Sequence, residues 1–322
     1  FKSPNSLIKL FYVIKSLLFL KPIHFGLFFS SKMKEFINEK AYNYDLIFFY
    51  HIRSSQYLPK NYKGKKIIEM GDLYSSNYLQ TFQRLSILNP FKYIYFFESL
   101  LVKKIEKNIF TNFDKIILFS KNEIKKINKK FFKKIIHINL SIQGIDKKYF
   151  FSKENKKILF IGNLKYLPNK IAVKDFIRVV LPKLEIKLPN VKFQIIGDVS
   201  FIDKILLNLN KNVECLGPQR NLNKFIKGSF CGLANLEIAT GVQGKILTYM
   251  SYGVPVICSK KAAVNFGRYV MSYENYQQFV DKIIILKKNK KLSNLMSKKS
   301  LSLVDNYKWN KVCKGYLKAI KH

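Results

Sequence analysis

The sequence has no arrangement of cysteines that would build a metal site or a disulfide scaffold. Its four cysteines are scattered, with neither a C-x-x-C pair nor a histidine at metal-ligand spacing: Cys215, Cys231, Cys258 and Cys313. Three of them stand in apolar runs, where a cysteine usually acts as a small buried hydrophobe. A zinc site and a secreted, disulfide-rich domain are therefore disfavoured, and a reduced, cytosolic compartment is favoured.

Acidic residues are scarce. The chain has 20 Asp and Glu against 58 Lys and Arg in 322 residues, a formal net charge of +38. Such a surface attracts anionic partners, among them nucleic acids and membrane leaflets. The lysine excess accompanies heavy use of Ile, Asn, Phe and Tyr, a blend that coding bias toward A and T explains equally well. No RNA- or DNA-binding module is recognisable, so no specific nucleic-acid partner is expected.

The chain also lacks an uninterrupted apolar run long enough for a membrane span. Residues 7–29 are rich in Leu, Ile and Phe, but Lys9, Lys15, Lys21 and Pro22 interrupt them. This pattern is typical of a helix lying on an anionic membrane surface, and equally of a core helix with lysines on its solvent-exposed face. We expect a cytoplasmic protein that binds peripherally to the inner face of the cell membrane.

What the chain does contain is a series of short apolar runs that end in polar turn residues. These runs predict parallel strands at residues 44–50, 65–70, 115–120, 135–138, 157–161, 191–196, 213–216, 231–235 and 254–257. Helical periodicity separates many of them, most clearly over residues 93–112, and it dominates after Tyr273. Alternation of this kind predicts an α/β protein with parallel, doubly wound sheets.

The most informative stretch is residues 241–257, GVQGKILTYMSYGVPVI. Gly241 and Gly244 leave backbone N–H groups unobstructed at a predicted helix start, where the positive end of the helix dipole favours phosphate. The helix breaks at Gly253, and a buried strand follows. The stretch therefore predicts a phosphate or diphosphate site.

Several motifs together resemble the family 4 glycosyltransferases, and most closely a bacterial polysaccharide sugar-transferase subgroup whose donor loop reads Gly-x-Gln-x-Lys. The motifs that carry the resemblance in the second half are IGNLKYLPNK (161–170), FQIIG (193–197) and GVQGKILTYM (241–250). Looser acceptor-domain motifs stand upstream: EMGDLYS (69–75), FDKIILFSKNE (113–123) and IQGID (142–146). The resemblance therefore covers most of the chain.

The resemblance implies the GT-B fold, with two facing Rossmann-like domains and a helical C-terminal tail. Residues 1–145 would bind the acceptor, residues 146–305 the nucleotide-sugar donor, and residues 306–322 would form a helix packing back on the first domain. In the family, the first βα unit carries a glycine-rich loop that this chain lacks. The sequence also begins at Phe1 with a helical pattern that is typical of the middle of a domain. We therefore expect an N-terminally truncated chain.

The family also implies an activity: transfer from a UDP- or GDP-sugar to a lipid-linked or glycan acceptor, with retention of configuration and with neither metal nor cofactor. Candidate donor residues are Gly162, Asn163, Gly197, Gly241, Gln243, Gly244 and Lys245. Gly162 would let the backbone approach the ligand, and Lys245 would neutralise the leaving diphosphate as a catalytic cation. A solvent-facing Lys245 and a plain turn at Gly197 are the competing interpretations.

The chain departs from the family at the two glutamates that usually flank the donor loop. By register, Thr240 and Thr248 occupy these positions. A hydroxyl can bind a ribose diol, but without charge assistance it binds less strongly. Glu237 is three residues away and would supply a carboxylate from a neighbouring position, unless it is a surface residue at a strand end.

On the acceptor side, Asp72 follows a predicted strand and is a candidate base or orienting group for the acceptor hydroxyl. Capping the next helix is an equally good interpretation of this aspartate. His51 and Arg53 lie just past another strand end and are weaker acceptor-side candidates.

Two hypotheses from other functional classes compete with this one. The threonines and the absent first unit are also compatible with a catalytically inactive binding protein or partner subunit that keeps the fold. A dinucleotide-dependent dehydrogenase is disfavoured, because IGNLKY lacks the G-x-G-x-x-G fingerprint.

Overall fold

The chain folds into two compact α/β units, each built on a parallel sheet in the manner of a Rossmann domain. The structure, a computed structural model, describes residues 5–143, 149 and 151–321. The first unit comprises the described residues up to Asn139 and those from Cys313 onward, and the second runs from Leu140 to Val312. The predicted α/β class with two Rossmann-like domains and C-terminal helices is confirmed. The predicted boundary at 145/146 and most of the IQGID motif lie outside the described residues.

The first unit holds a four-stranded parallel sheet in the order β1-β2-β3-β4. Its strands are β1 (Leu46–Tyr50), β2 (Lys65–Gly71), β3 (Lys115–Leu118) and β4 (Ile135–His137). Its helices are α1 (Ser6–Leu18), α2 (Ile23–Leu27), α3 (Ser31–Lys40), α4 (Tyr74–Arg84), α5 (Phe91–Asn112) and α6 (Lys121–Ile124). All four strands begin and end within three residues of the predicted apolar runs.

The centre of this first sheet is dry. Ile67, Ile68 and Ile116 have no solvent exposure, as expected for parallel strands covered on both faces. On β2, Glu69 is acidic and yet buried, and the Tyr316 hydroxyl donates to its Oε2 at 2.5 Å. Because all four strands are parallel, the residues that follow β1 and β2 share one edge of the sheet.

The apolar segment 7–29 forms two helices rather than one. The break lies between α1 and α2, where Leu20 has a φ of +50° and Pro22 precedes the first residue of α2. Most large apolar side chains of α1 are exposed, among them Leu7, Leu10, Phe11 and Leu18. Among the described residues, no helix combines the length and the apolar character needed to cross a bilayer.

The second unit holds a six-stranded parallel sheet in the order β10-β9-β8-β5-β6-β7. Its strands are β5 (Lys157–Ile161), β6 (Lys192–Ile196), β7 (Val213–Gly217), β8 (Ser229–Ala234), β9 (Val256–Ser259) and β10 (Met271–Tyr273). Its helices are α7 (Leu167–Asp175), α8 (Leu181–Lys187), α9 (Phe201–Asn208), α10 (Asn223–Ile226), α11 (Gly244–Ser251), α12 (Lys260–Ala263), α13 (Tyr276–Lys288), α14 (Lys290–Val304) and α15 (Trp309–Lys321), whose last turns belong to the first unit. The short strand β10 was not predicted.

The strand order of the second sheet locates a ligand crevice. From β5 the chain builds β6 and β7 on one side, and it then crosses back to build β8, β9 and β10 on the other. The connections therefore leave β5 and β8 in opposite directions at their carboxyl ends. In open α/β sheets, ligands bind at such a switch point.

Proline does not end the helix that follows this crevice. The predicted helix stops at Leu181 and Pro182, but the chain stays helical to Lys187. A π-helical turn over Phe176–Val180 joins α7 to α8, with the Leu181 N–H donating to the carbonyl of Phe176. Because proline has no N–H and clashes with the preceding turn, a local widening of the helix accommodates it.

Tyr249 ties α11 to the middle of the second sheet. Its hydroxyl accepts the N–H of Ile161 at 2.6 Å and lies 3.1 Å from the carbonyl of Leu233 and 3.3 Å from that of Leu159. The ring packs so closely on β8 that a Cβ at Gly232 would lie 2.5 Å from it. The hydroxyl thus bridges β5 and β8, directly beneath the switch point.

We predict that Tyr249→Phe destabilises the second unit by about 1–3 kcal/mol, because the N–H of Ile161 loses its acceptor in a buried site. Urea unfolding followed by far-UV circular dichroism measures the change. Tyr50→Phe, at a tyrosine that is 72% exposed, is the matched control and should leave the free energy of unfolding unchanged. Equal stability of the two variants would contradict the bridging role.

Candidate functional site

Two glycines let the backbone close up at the carboxyl edge of β5 and β6. Gly197 has a φ of +146°, and a Cβ there would lie 2.1 Å from the carbonyl oxygen of Gly162. At Gly162, an added Cβ would lie 2.8 Å from the Asn169 amide and 3.0 Å from the Lys245 ammonium. Gly197 is therefore more than a plain turn, and Gly162 leaves the space in which two polar side chains meet.

Lys245 points back toward β5. Its Nζ lies 2.7 Å from the Asn169 Oδ1 and 3.8 Å above the centre of the Phe160 ring. Both contacts favour the charged form, but neither partner carries a negative charge. Burial therefore dominates and lowers the pKa of Lys245 to about 7. The Lys245 side chain therefore packs against the second unit instead of extending into solvent, and its ammonium stands beside Gly162. Its role in a donor site stays a prediction.

Asn169 holds this arrangement together, a role that the sequence alone does not indicate. Its Nδ2 donates to the carbonyl of Asn163 at 2.8 Å while its Oδ1 accepts from Lys245. The side chain is buried, at 6% exposure, in the first turn of α7. Asn169 lies within the LPN segment of the quoted motif, but a single asparagine in an asparagine-rich chain carries no signal of its own.

The N-terminus of α11 presents unused amides next to Lys245. Gln243 occupies the N-cap position, but its Nε2 donates to the carbonyl of Thr240 and does not cap the helix. In the part of the chain that the structure describes, no protein acceptor is found for the N–H groups of Gly244 and Lys245. Gly241 supplies the preceding turn with a φ of +62°. Free amides, a helix dipole and a cation are the groups from which proteins build anion sites.

The two threonines at the family's glutamate positions are half-buried, and one is engaged with the backbone. The Thr248 hydroxyl donates to the carbonyl of Gly244 at 3.1 Å, which is a bond along its own helix. Thr240 lies in the loop between β8 and α11, where its carbonyl accepts from Gln243. Glu237 is half-buried in the same loop, and the Lys261 ammonium binds its carbonyl.

Asn163 and Asp198 follow the strand ends but point outward. Asn163 is exposed, and its Oδ1 accepts the N–H of Lys165 at 2.8 Å in a local turn. The Lys165 ammonium pairs with Asp198 at 3.0 Å, with both side chains largely in water. The backbone carbonyl of Asn163, rather than its side chain, is what the Asn169 contact fixes.

On the first unit, His51 and Arg53 come together at the end of β1. His51 has a φ of +71°, which is uncommon for a residue with a side chain and marks local backbone strain. Its Nδ1 accepts from the Arg53 Nε at 3.2 Å, and the Arg53 guanidinium lies 3.9 Å from the centre of the Phe28 ring. Burial and the neighbouring guanidinium lower the pKa of His51 to about 4, so the imidazole is neutral at physiological pH.

Carboxylates other than Asp72 bind backbone amides at the start of α4. Leu73 holds the N-cap position, and two other carboxylates bind the first amides: Glu123 accepts from the Leu73 N–H at 3.1 Å, and Glu106 accepts from the Ser75 N–H at 3.0 Å. Burial, followed by the charge of Asp72, raises the pKa of Glu123 to about 8. The amides of α4 are thus occupied, and Asp72 remains an acceptor-side candidate.

Other features of the second unit do not join this site. A cavity of about 1160 Å³ has Tyr149, Arg220 and Tyr252 in its wall, but none of the predicted donor residues. No group of three or more His, Cys, Asp or Glu side chains within the described residues has the geometry of a metal site.

Residues 155–289 match the family described as glycosyl transferases group 1. No curated protein shows significant sequence similarity to the chain. Among solved structures, TarM of S. aureus is 17% identical with a TM-score of 0.68 over 90% of this chain, and the chain spans 58% of the length of TarM.

Two further structures show the same fold. Anabaena HepE, solved in complex with UDP-glucose, is 13% identical with a TM-score of 0.65, covering 89% of this chain and 80% of HepE. WaaG, a glycosyltransferase involved in lipopolysaccharide biosynthesis, is 12% identical with a TM-score of 0.54, covering 79% of this chain and 73% of WaaG. Residues 155–289 of the second unit thus match a glycosyltransferase group 1 domain, and the fold is the GT-B fold.

We predict that Lys245→Met raises the free energy of unfolding at pH 7 by about 1–2 kcal/mol. This figure is kept low because the residue as a whole is only half-buried, although its ammonium is desolvated. A lysine whose pKa is lowered by folding destabilises the native state fully below about pH 7. That penalty fades as the pH rises toward 10.5, the ordinary value. Urea titrations at pH 7, 8.5 and 10 should show the gain shrinking, whereas Lys288→Met at an exposed position should show no such trend.

We also predict that Asn169→Asp flattens this pH dependence, because a carboxylate at 2.7 Å would keep Lys245 charged. Asn169→Leu should instead cost about 1–3 kcal/mol, since it leaves the Asn163 carbonyl and the ammonium without their partner. The same urea titrations measure both effects. An unchanged pH profile in Asn169→Asp would show that Asn169 does not control the lysine.

Proposed function

We propose that this chain is a family 4-type glycosyltransferase that moves a sugar from a nucleotide-sugar donor to a lipid-linked or glycan acceptor in cell-surface polysaccharide synthesis. The observation that carries the proposal is the desolvated Lys245, held by Asn169 beside the unused amides of Gly244 and Lys245. The group 1 domain match and the fold support it.

The donor diphosphate would lie at the N-terminus of α11. Its oxygens would accept from the free amides, and the Lys245 ammonium would neutralise the charge that develops as the sugar–phosphate bond breaks. These groups supply the positive charge from the protein itself, so the proposed reaction needs no metal. The UDP-glucose complex of HepE makes a UDP-sugar the first donor to test, with GDP-sugars second.

The acceptor would bind to the first unit. Asp72, at the end of β2, is the candidate group for orienting the acceptor hydroxyl, with His51 and Arg53 at the neighbouring strand end. Because its pKa is lowered to about 4, His51 stays neutral at pH 7 and can serve there as an uncharged hydrogen-bonding group. Retention of the anomeric configuration is part of the proposal through the family resemblance.

A second candidate is an inactive relative that binds the nucleotide without turnover. The observation that favours it is the Thr248 hydroxyl, which donates to the carbonyl of its own helix at a position where the family carries a glutamate. An uncharged group holds a ribose diol less strongly than a carboxylate does.

We place the protein in the cytoplasm, peripheral to the anionic inner face of the cell membrane. The net charge of +38 and the exposed apolar side chains of α1 support this placement. A helix with lysines and exposed Leu and Phe binds an anionic bilayer through electrostatic attraction and through burial of its apolar side chains.

The first experiment is calorimetric titration with UDP, GDP and their sugar conjugates at pH 8, in buffers of different ionisation enthalpy. At this pH the free Lys245 is mostly neutral, and a bound diphosphate would recharge it, so binding should take up about one proton. Lys245→Met should abolish the proton uptake and weaken binding by about tenfold or more.

Lys288→Met is the matched control and should bind like the parent chain. Binding without proton uptake, or with the same uptake in Lys245→Met, would contradict the donor site. Release of free sugar from the preferred nucleotide sugar then separates the two candidates: measurable turnover supports the enzyme, and tight binding without turnover supports the inactive relative.

A further inference from the structure

The first unit contains a groove that the proposed donor chemistry does not use. It has a volume of about 810 Å³ and runs between α4, α5 and the segment that follows α6. Its wall includes Leu73 and Ser75, the residues that begin α4 at the carboxyl end of β2. One end of the groove therefore opens beside Asp72.

Three lysines of this groove form no ion pair with a described residue. Lys103, Lys107 and Lys130 line it and are exposed, and no carboxylate within the described chain lies within 4.0 Å of their ammonium groups. The acidic side chain in the wall is Glu106, which Ser75 engages through its N–H and, at 2.5 Å, through its hydroxyl. The net potential of this end is strongly positive.

The other end of the groove is apolar. Leu79 of α4 and Leu100 of α5 line it with 41% and 50% exposure, together with Phe96. Outside the groove, Phe97 on α5 and Leu88 in the α4–α5 turn are further exposed apolar side chains, and Leu88 is 90% exposed. Clustered exposed apolar side chains are typical of a binding surface.

We infer that the groove binds an anionic amphiphile, with a phosphate group among the lysines and a hydrocarbon chain along Leu79, Phe96 and Leu100. The inference rests on the proposed function, because it gives the lipid-linked acceptor a place. In this position the phosphate lies toward the start of α4 and Asp72, and the chain leads toward the exposed α4–α5 turn. A purely hydrophilic anion would leave the apolar end unused, and an uncharged lipid would leave three ammonium groups unpaired.

The test is binding of dodecyl phosphate, kept below its micelle threshold, to the full chain, compared with inorganic phosphate and with dodecyl maltoside. Dodecyl phosphate should bind at least about tenfold more tightly than either. The combined change Lys103→Gln, Lys107→Gln and Lys130→Gln should weaken its binding by about tenfold or more. The pair Leu79→Gln and Leu100→Gln should weaken it by about tenfold as well.

The matched control neutralises three exposed lysines of the second unit, Lys288→Gln, Lys290→Gln and Lys291→Gln, and should change the affinity by less than about twofold. All variants should keep the melting temperature and the UDP affinity of the parent chain, which separates failure of the groove from failure of the donor site. Equal loss in the control, equal binding of inorganic phosphate, or no binding of dodecyl phosphate would overturn the inference.

Discussion

The site depends on one buried amine with no counter-ion. Burial works against the charge of Lys245, while Asn169 and the Phe160 ring offer only dipolar partners. Such a group costs stability until an anion arrives, and the free amides of α11 favour an anion at the same place. The close crossing of Gly162 and Gly197 provides the space in which this amine can be held.

The sequence was a good guide to elements whose pattern is local. Apolar runs that end in polar residues located strands of both sheets, but β10, three residues long, was too short to show a pattern. Pro182 argued for a helix end, and only the π-helical turn before it explains why α8 continues. Tertiary packing decided both cases, and no local preference records it.

The candidate site, too, could be predicted from the sequence only in part. Lys245 was identified from the loop motif, but its direction and its desolvation come from contacts with residues 76 positions away or more. Asn169 escaped notice because its role exists only once β5, α7 and α11 are packed together. Conversely, the sequence left Asp72 open as a helix cap, and the structure shows that Glu106 and Glu123 bind amides at the start of α4.

Tyr249 anchors α11 to the backbone of the second sheet. The hydroxyl of the sixth residue of this helix holds the backbone of β5 and β8. Amide hydrogen exchange at Ile161 should therefore require rupture of the sheet, not a local excursion of the helix. A movement of α11 away from the sheet would break the same bonds, so we expect the helix and these two strands to move as one piece.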